Sequence, residues 1–229
     1  MPRPLPPVNH RLNTATVPRP HDLLWIEGPG SLVADEPLPF WVRAVLGDLP
    51  VVVVRRSRQL DGLVPVGIRG RSREERFAAA IPVARVVRRV APEDLLTTRH
   101  EPTRERADAI AALRAFLQVE KVWAELGLPW GPTGSVGFEM ATGAPATTQA
   151  SDLDIVMRAV SPLTVREGRD ILAAVEQIAA VADIQVETPA GSFALREYCN
   201  GKSLRYLLKT LDGPRLVTDP WESEQGDFE

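Results

Sequence analysis

The sequence predicts an α+β protein, with a mixed sheet flanked by helices in the C-terminal half and a smaller α/β domain before it. Two observations carry this. Beyond residue 100, segments of helical periodicity alternate with short apolar runs, the pattern of helices layered on a sheet. Before it, the unbroken β-branched run Val51 to Val54, stopped by Arg55 and Arg56, reads as a buried strand after a short helix in PFWVRAVLGD.

The elements follow in order. Order is expected to begin at RPHDLLWIEG, where Asp22 caps a short apolar element and His21 decorates it. GLVPVGIRG reads as an edge or irregular strand because of its proline and glycines. SREERFAAAI reads as a helix, with Ser72 as N-cap and Glu75 completing a capping box. RRVAPEDLLTTRHEPT, residues 88 to 103, is polar and broken by prolines, which places a boundary there. From Thr103, TRERADAIAALRAFLQVEKVWAELG is the clearest helix, with Ile110, Leu113, Leu117, Trp123 and Leu126 near one stripe and Gly127 ending it. LPWGPTGS then gives a short strand and a turn. SDLDIVMRAV gives a buried strand, SPLTVREGRDILAAVEQIAAVA a helix from near Ser161, and DIQVE another strand.

Composition narrows the function. The 229 residues, 44% hydrophobic and 25% charged, suffice for one large domain or two small ones with their own cores. A net charge of -3 argues against nucleic acid or an anionic membrane surface as partner. A single cysteine, Cys199, makes no internal disulfide, and no apolar run approaches the roughly 20 residues of a membrane helix. Prolines occupy the N-terminal stretch where a signal peptide would be apolar. The expectation is a cytoplasmic protein with a disordered Pro-rich segment over 1–18, domains over 19–100 and 101–221, and an acidic tail over 222–229.

Chemistry concentrates in GPTGSVGFEMATGAPATTQASDLDIVMRAV. Residues two apart on a strand share a face, so Asp152 and Asp154 are expected side by side, about 7 Å apart. At an effective dielectric near 20 they would repel by about 2 kcal/mol. A divalent cation offsets this, and magnesium typically takes one or two carboxylates plus substrate phosphates. Upstream, Gly134 permits backbone approach and Ser135 offers a hydroxyl at a possible helix start, where free N–H groups attract phosphate. A phosphate-holding turn beside a carboxylate pair is the minimum apparatus for phosphoryl chemistry. In VADIQVETP, Asp183, Gln185 and Glu187 share a strand face, so either acid is placed to complete the site as ligand or base, with Gln185 orienting a ligand. Arg55, Arg56, Arg58, Arg69, Arg71, Arg73 and Arg76 cluster in the first half, and the glycines of GIRGRSR single out Arg69 and Arg71 as polyphosphate contacts. NGKSLRY lacks the earlier glycine of a phosphate loop, so Lys202 and Arg205 are expected only to start or decorate a helix. The tryptophans read as core.

Gly134-Ser135, Ser151-Asp152-Leu153-Asp154 and a later acid-bearing strand resemble the polymerase-beta-like nucleotidyltransferase superfamily. RPHDLLW, VPVGIRG, ERFAA, WGPTGSVGFEMATG, SDLDIVMRA, IQVETPAGSFAL and GPRLVTDPW, in that order over about residues 19 to 221, resemble the phosphoribosyl-dephospho-CoA transferases of the malonate decarboxylase system. The resemblance implies a nucleotidyltransferase-like catalytic domain over 101–221 and substrate or carrier binding over 19–100. It implies transfer of the phosphoribosyl-dephospho-CoA group from 2'-(5''-triphosphoribosyl)-3'-dephospho-CoA to a serine of the decarboxylase's acyl-carrier subunit, with release of pyrophosphate. Two-metal chemistry would then put Mg2+ on Asp152, Asp154 and a third acid, with Asp183 favoured by the superfamily pattern over Glu187, and the leaving phosphates on Gly134 and Ser135. The alternatives are the citrate lyase counterpart, another magnesium-dependent nucleotidyltransferase, or a silent nucleotide-binding module.

Overall fold

β-Branched runs decide the first sheet. In the computed structural model, which describes residues 17–70, 72, 74–178, 182–201 and 205–222, the chain is a mixed α+β protein with two sheets flanked by helices. The Pro-rich segment through residue 16, Arg71, Lys202 and the tail from residue 223 lie outside the described residues. No described helix is long and apolar enough to cross a membrane. The chain divides into two units, Met1–Ala91 and Pro92–Glu229.

In the first unit, β1 (Leu23–Ile26), β2 (Val51–Val54), β3 (Leu63–Arg69), β4 (Arg76–Pro82) and β5 (Val86–Val90) form a sheet of order β4-β3-β2-β1-β5. Every pairing is antiparallel, and the one α-helix among the described residues of this unit, α1 (Phe40–Asp48), covers a sheet face rather than crossing between parallel strands. α1 buries Val42 and Leu46 in a cluster with Leu24, Val52, Val64, Val66 and Ile81. Asp22, fully buried, accepts hydrogen bonds from Arg89 Nε and the Arg19 N–H.

Two expectations fail here. Residues 76–82 are a strand, not a helix. The predicted capping-box bonds do form, Ser72 N–H to Glu75 Oε2 at 3.1 Å and Glu75 N–H to Ser72 Oγ at 3.3 Å, but they close the β3–β4 connection. The local motif satisfies backbone donors in a turn as readily as at a helix start, and full pairing with β3 decides the outcome. Nor is β3 an edge strand. Pro65 is tolerated because its carbonyl accepts Arg55 N–H just past the end of β2, so its missing donor falls where the ladder stops.

The second unit holds a six-stranded sheet of order β11-β10-β9-β8-β7-β6, built from β6 (Trp130–Pro132), β7 (Leu153–Arg158), β8 (Ala182–Glu187), β9 (Ser192–Ala194), β10 (Tyr206–Thr210) and β11 (Gly213–Val217). Only β7–β8 is parallel, and α5 (Val165–Glu176) supplies the crossover that pairing needs. α5 starts at the Thr164–Glu167 capping box rather than at Ser161. Ahead of β10, Arg205 leads into a strand and not a helix. The long helix is in fact two, α2 (Arg104–Ala109), capped by Thr103, and α3 (Ala111–Val122), separated by extended Ile110 (φ -111, ψ 114). α3 ends at Val122, short of Gly127, and packs Leu113, Phe116 and Val119 into the core. Trp130 is core as expected, edge-on to Trp123 at 4.9 Å and 89°. The remaining helices are α4 (Gly134–Thr142) and α6 (Leu195–Cys199).

Candidate functional site

The parallel register of β7 and β8 sets the site. It pairs Asp154 with Asp183, placing the two carboxylates on one face of neighbouring strands about 4.8 Å apart at the backbone. Asp154 is half-buried and Asp183 exposed. At the same end of the sheet, Thr133 N–H donates to the Asp154 carbonyl at 2.8 Å, and the chain turns into α4. Gly134 makes that turn at φ +59, and a Cβ there would lie 2.1 Å from Asp154 Oδ2, so only glycine fits. Ser135, half-buried, sits in the first turn of α4, whose leading N–H groups have no partner within the helix.

Asp152 stands apart from the expected arrangement. β7 begins at Leu153, so Asp152 is an exposed loop residue rather than a strand neighbour of Asp154. A turn precedes it, where Thr148 N–H donates to Ser151 Oγ at 3.0 Å and Ser151 N–H to the Thr148 carbonyl at 3.0 Å. Gln185 lies on the Asp183 face and donates from Nε2 to both Asp183 oxygens at 3.2 Å, while its Oε1 accepts from Lys209 Nζ at 3.3 Å. Glu187 is at the far end of β8, buried and in register with Arg158, which itself binds Glu93. Of the two acids left open on that strand, Asp183 is thus beside Asp154 and Glu187 is not. Arg69 is an exposed residue of the first unit, opposite Arg76.

Glu139 and Arg106 escaped the sequence reading. Glu139 is 5% exposed on α4, and its carboxylate takes Arg106 Nε at 2.7 Å, Arg106 Nη2 at 2.9 Å and the N–H groups of Ala146 and Thr147. Arg106 also donates to the Thr147 carbonyl at 3.1 Å. One carboxylate therefore ties the loop that leads to Asp152 onto the helix that begins at Gly134. Burial pushes the Glu139 pKa up, but Arg106 and the two loop N–H groups outweigh it and hold the carboxyl below its ordinary value. The available signal was a lone carboxylate inside the apolar helix GSVGFEMAT.

Among the described residues, no three or more His, Cys, Asp or Glu side chains are gathered so as to hold a metal ion by themselves. The Asp154–Asp183 pair and the glycine cradle at Asp154 instead suit an ion that completes its shell with substrate phosphates and water. Cys199 is buried against α5, and burial pushes its thiol pKa up, which disfavours the thiolate.

Two family models match the chain. Residues 19–92 match the model of the phosphoribosyl-dephospho-CoA transferase MdcG N-terminal domain, and residues 98–220 that of its C-terminal domain. A phosphoribosyl-dephospho-CoA transferase of Azotobacter vinelandii is 41% identical over 212 residues, 91% of this chain and 96% of its own length. One from Pseudomonas putida is 40% identical over 208 residues, 91% and 97% of the two chains. One from Pseudomonas aeruginosa is 39% identical over 204 residues, 89% and 94%. No solved structure matches.

Proposed function

Since the chain belongs to the phosphoribosyl-dephospho-CoA transferase family, we propose that it is the transferase that loads the phosphoribosyl-dephospho-CoA group of 2'-(5''-triphosphoribosyl)-3'-dephospho-CoA onto a serine of the malonate decarboxylase acyl-carrier subunit. The observation that carries the chemistry is the register match of Asp154 with Asp183 beside the Gly134 turn. In the step, serine Oγ forms a bond to the phosphorus nearest the ribose. The bridging P–O bond beyond it breaks, its electron pair leaves with pyrophosphate, and the serine proton passes to a carboxylate. Asp154 and Asp183 would hold magnesium, with Asp152 brought in from its loop. The ion supplies Lewis-acid neutralisation of the phosphate oxygens and a lower pKa for the attacking hydroxyl. Gly134 and Ser135 receive the leaving phosphates on backbone N–H groups and a hydroxyl. The work of the protein is positioning and charge balance.

Intact mass of the acyl-carrier subunit tests this after incubation with enzyme, magnesium and the triphosphate precursor. A gain of one phosphoribosyl-dephospho-CoA group, with an equivalent of pyrophosphate, is expected. No mass gain with active precursor sinks the reading. Asp154→Asn and Asp152→Asn are each expected to abolish transfer while leaving the circular dichroism spectrum unchanged. Near-normal rates in both at saturating magnesium would overturn the metal assignment.

A further inference from the structure

The face that carries Asp154 and Asp183 also carries a cation. β8 register pairs Glu187 with Ser192, and β10 register pairs Ser192 with Lys209, so Lys209 shares the face of Asp183 and Gln185. Lys209 is exposed on β10 while its neighbour Leu208 is buried. Its ammonium donates to Gln185 Oε1 at 3.3 Å, and the same amide donates from Nε2 to both oxygens of Asp183 at 3.2 Å. A neutral amide thus bridges an aspartate and a lysine. Each charge keeps capacity for a ligand. The ammonium has three protons and the amide oxygen takes one, while the carboxylate retains lone pairs beyond those met by the Gln185 NH2.

We propose that Lys209 binds the departing diphosphate portion of the triphosphate substrate, and that Gln185 is the spacer that keeps Lys209 off Asp183. This rests on the transferase reading above. A compact ammonium suits phosphate oxygens, and negative charge on the leaving pyrophosphate grows as the bridging P–O bond breaks. A cation there is therefore worth more in the transition state than in the ground state. No proton passes through Lys209.

Steady-state transfer to the acyl-carrier subunit, together with inhibition by inorganic pyrophosphate, tests the assignment. Lys209→Ala is expected to lower kcat by about 10²-fold, the scale of losing one transition-state donor, and to weaken pyrophosphate inhibition by about tenfold. Lys209→Arg should recover most of both, and all variants should keep the wild-type melting temperature because the residue is exposed. Gln185→Leu should impair transfer less than Lys209→Ala, and the double variant should be no worse than Lys209→Ala, since the two act as one unit. Unchanged kcat and pyrophosphate inhibition in Lys209→Ala, with Asp154→Asn inactive, overturns the role of the lysine and leaves the transferase reading standing. No mass gain of the acyl-carrier subunit with the unsubstituted enzyme and active precursor overturns the reading itself.

Discussion

At the scale of single residues, Gly134 is the most constrained position beside the carboxylates. It is held at φ +59 by the turn from β6 into α4, and its missing Cβ makes room for Asp154 Oδ2 at 2.1 Å. Gly134→Ala therefore meets two penalties, a left-handed backbone costing roughly 1–2 kcal/mol and a clash that only a shift of Asp154 relieves. The clash matters more for function than the strain does for stability, because a displacement on the order of 1 Å in a positioned group costs about 10²-fold in rate. A variant that melts only a few degrees lower while losing about two orders of magnitude in transfer is expected from thermal unfolding and single-turnover rates measured side by side. A fully active, equally stable Gly134→Ala would show that Asp154 does not need its observed position.

Among the elements, the loop between α4 and β7 depends on Glu139 and Arg106. Because burial is outweighed by Arg106 and by the Ala146 and Thr147 N–H groups, the folded pKa of Glu139 lies below the unfolded one. The stability it contributes is thus complete above the ordinary glutamate value of about 4.3 and is lost as pH falls through the folded value. Glu139→Gln keeps the shape and removes the charge. It should cost about 2–3 kcal/mol at pH 7, and the gap from wild type should narrow as pH drops below about 4, read as urea midpoints across pH. Breaking the tie should also raise the magnesium needed for half-maximal rate, since Asp152 hangs from that loop. These elements show what the sequence made legible. Alternation and β-branched runs located β2, β7 and β8, and the acids on them were recognisable at once. Residues 76–82 were not, because the Ser72–Glu75 bonds look alike in a turn and a helix start, and only pairing with β3 separates them. Glu139 and Arg106 are 33 residues apart, and no local pattern announces a partner at that distance. Lys209 needed the β8–β9–β10 register before it had any meaning.

For the whole molecule, the division at Ala91 and Pro92 separates two units that each bury a core of their own. The first relies on Leu24, Val52, Val64, Val66 and Ile81 under α1, the second on Leu113, Phe116, Met140, Ile155 and Leu195 around its sheet. Gly134, Asp152, Asp154, Asp183 and Lys209 all belong to Pro92–Glu229, and the strand pairings that position them stay within that unit. A chain of residues 92–229 should therefore fold cooperatively, with one sigmoidal thermal transition and dispersed amide resonances. Substituting Asp154→Asn in that fragment should leave the transition in place, because a half-exposed carboxylate at a strand's start is no part of the apolar core. A fragment without a cooperative transition would show that the six-stranded sheet depends on residues before Pro92, and the first unit would then have to be counted as part of what holds the acids in register.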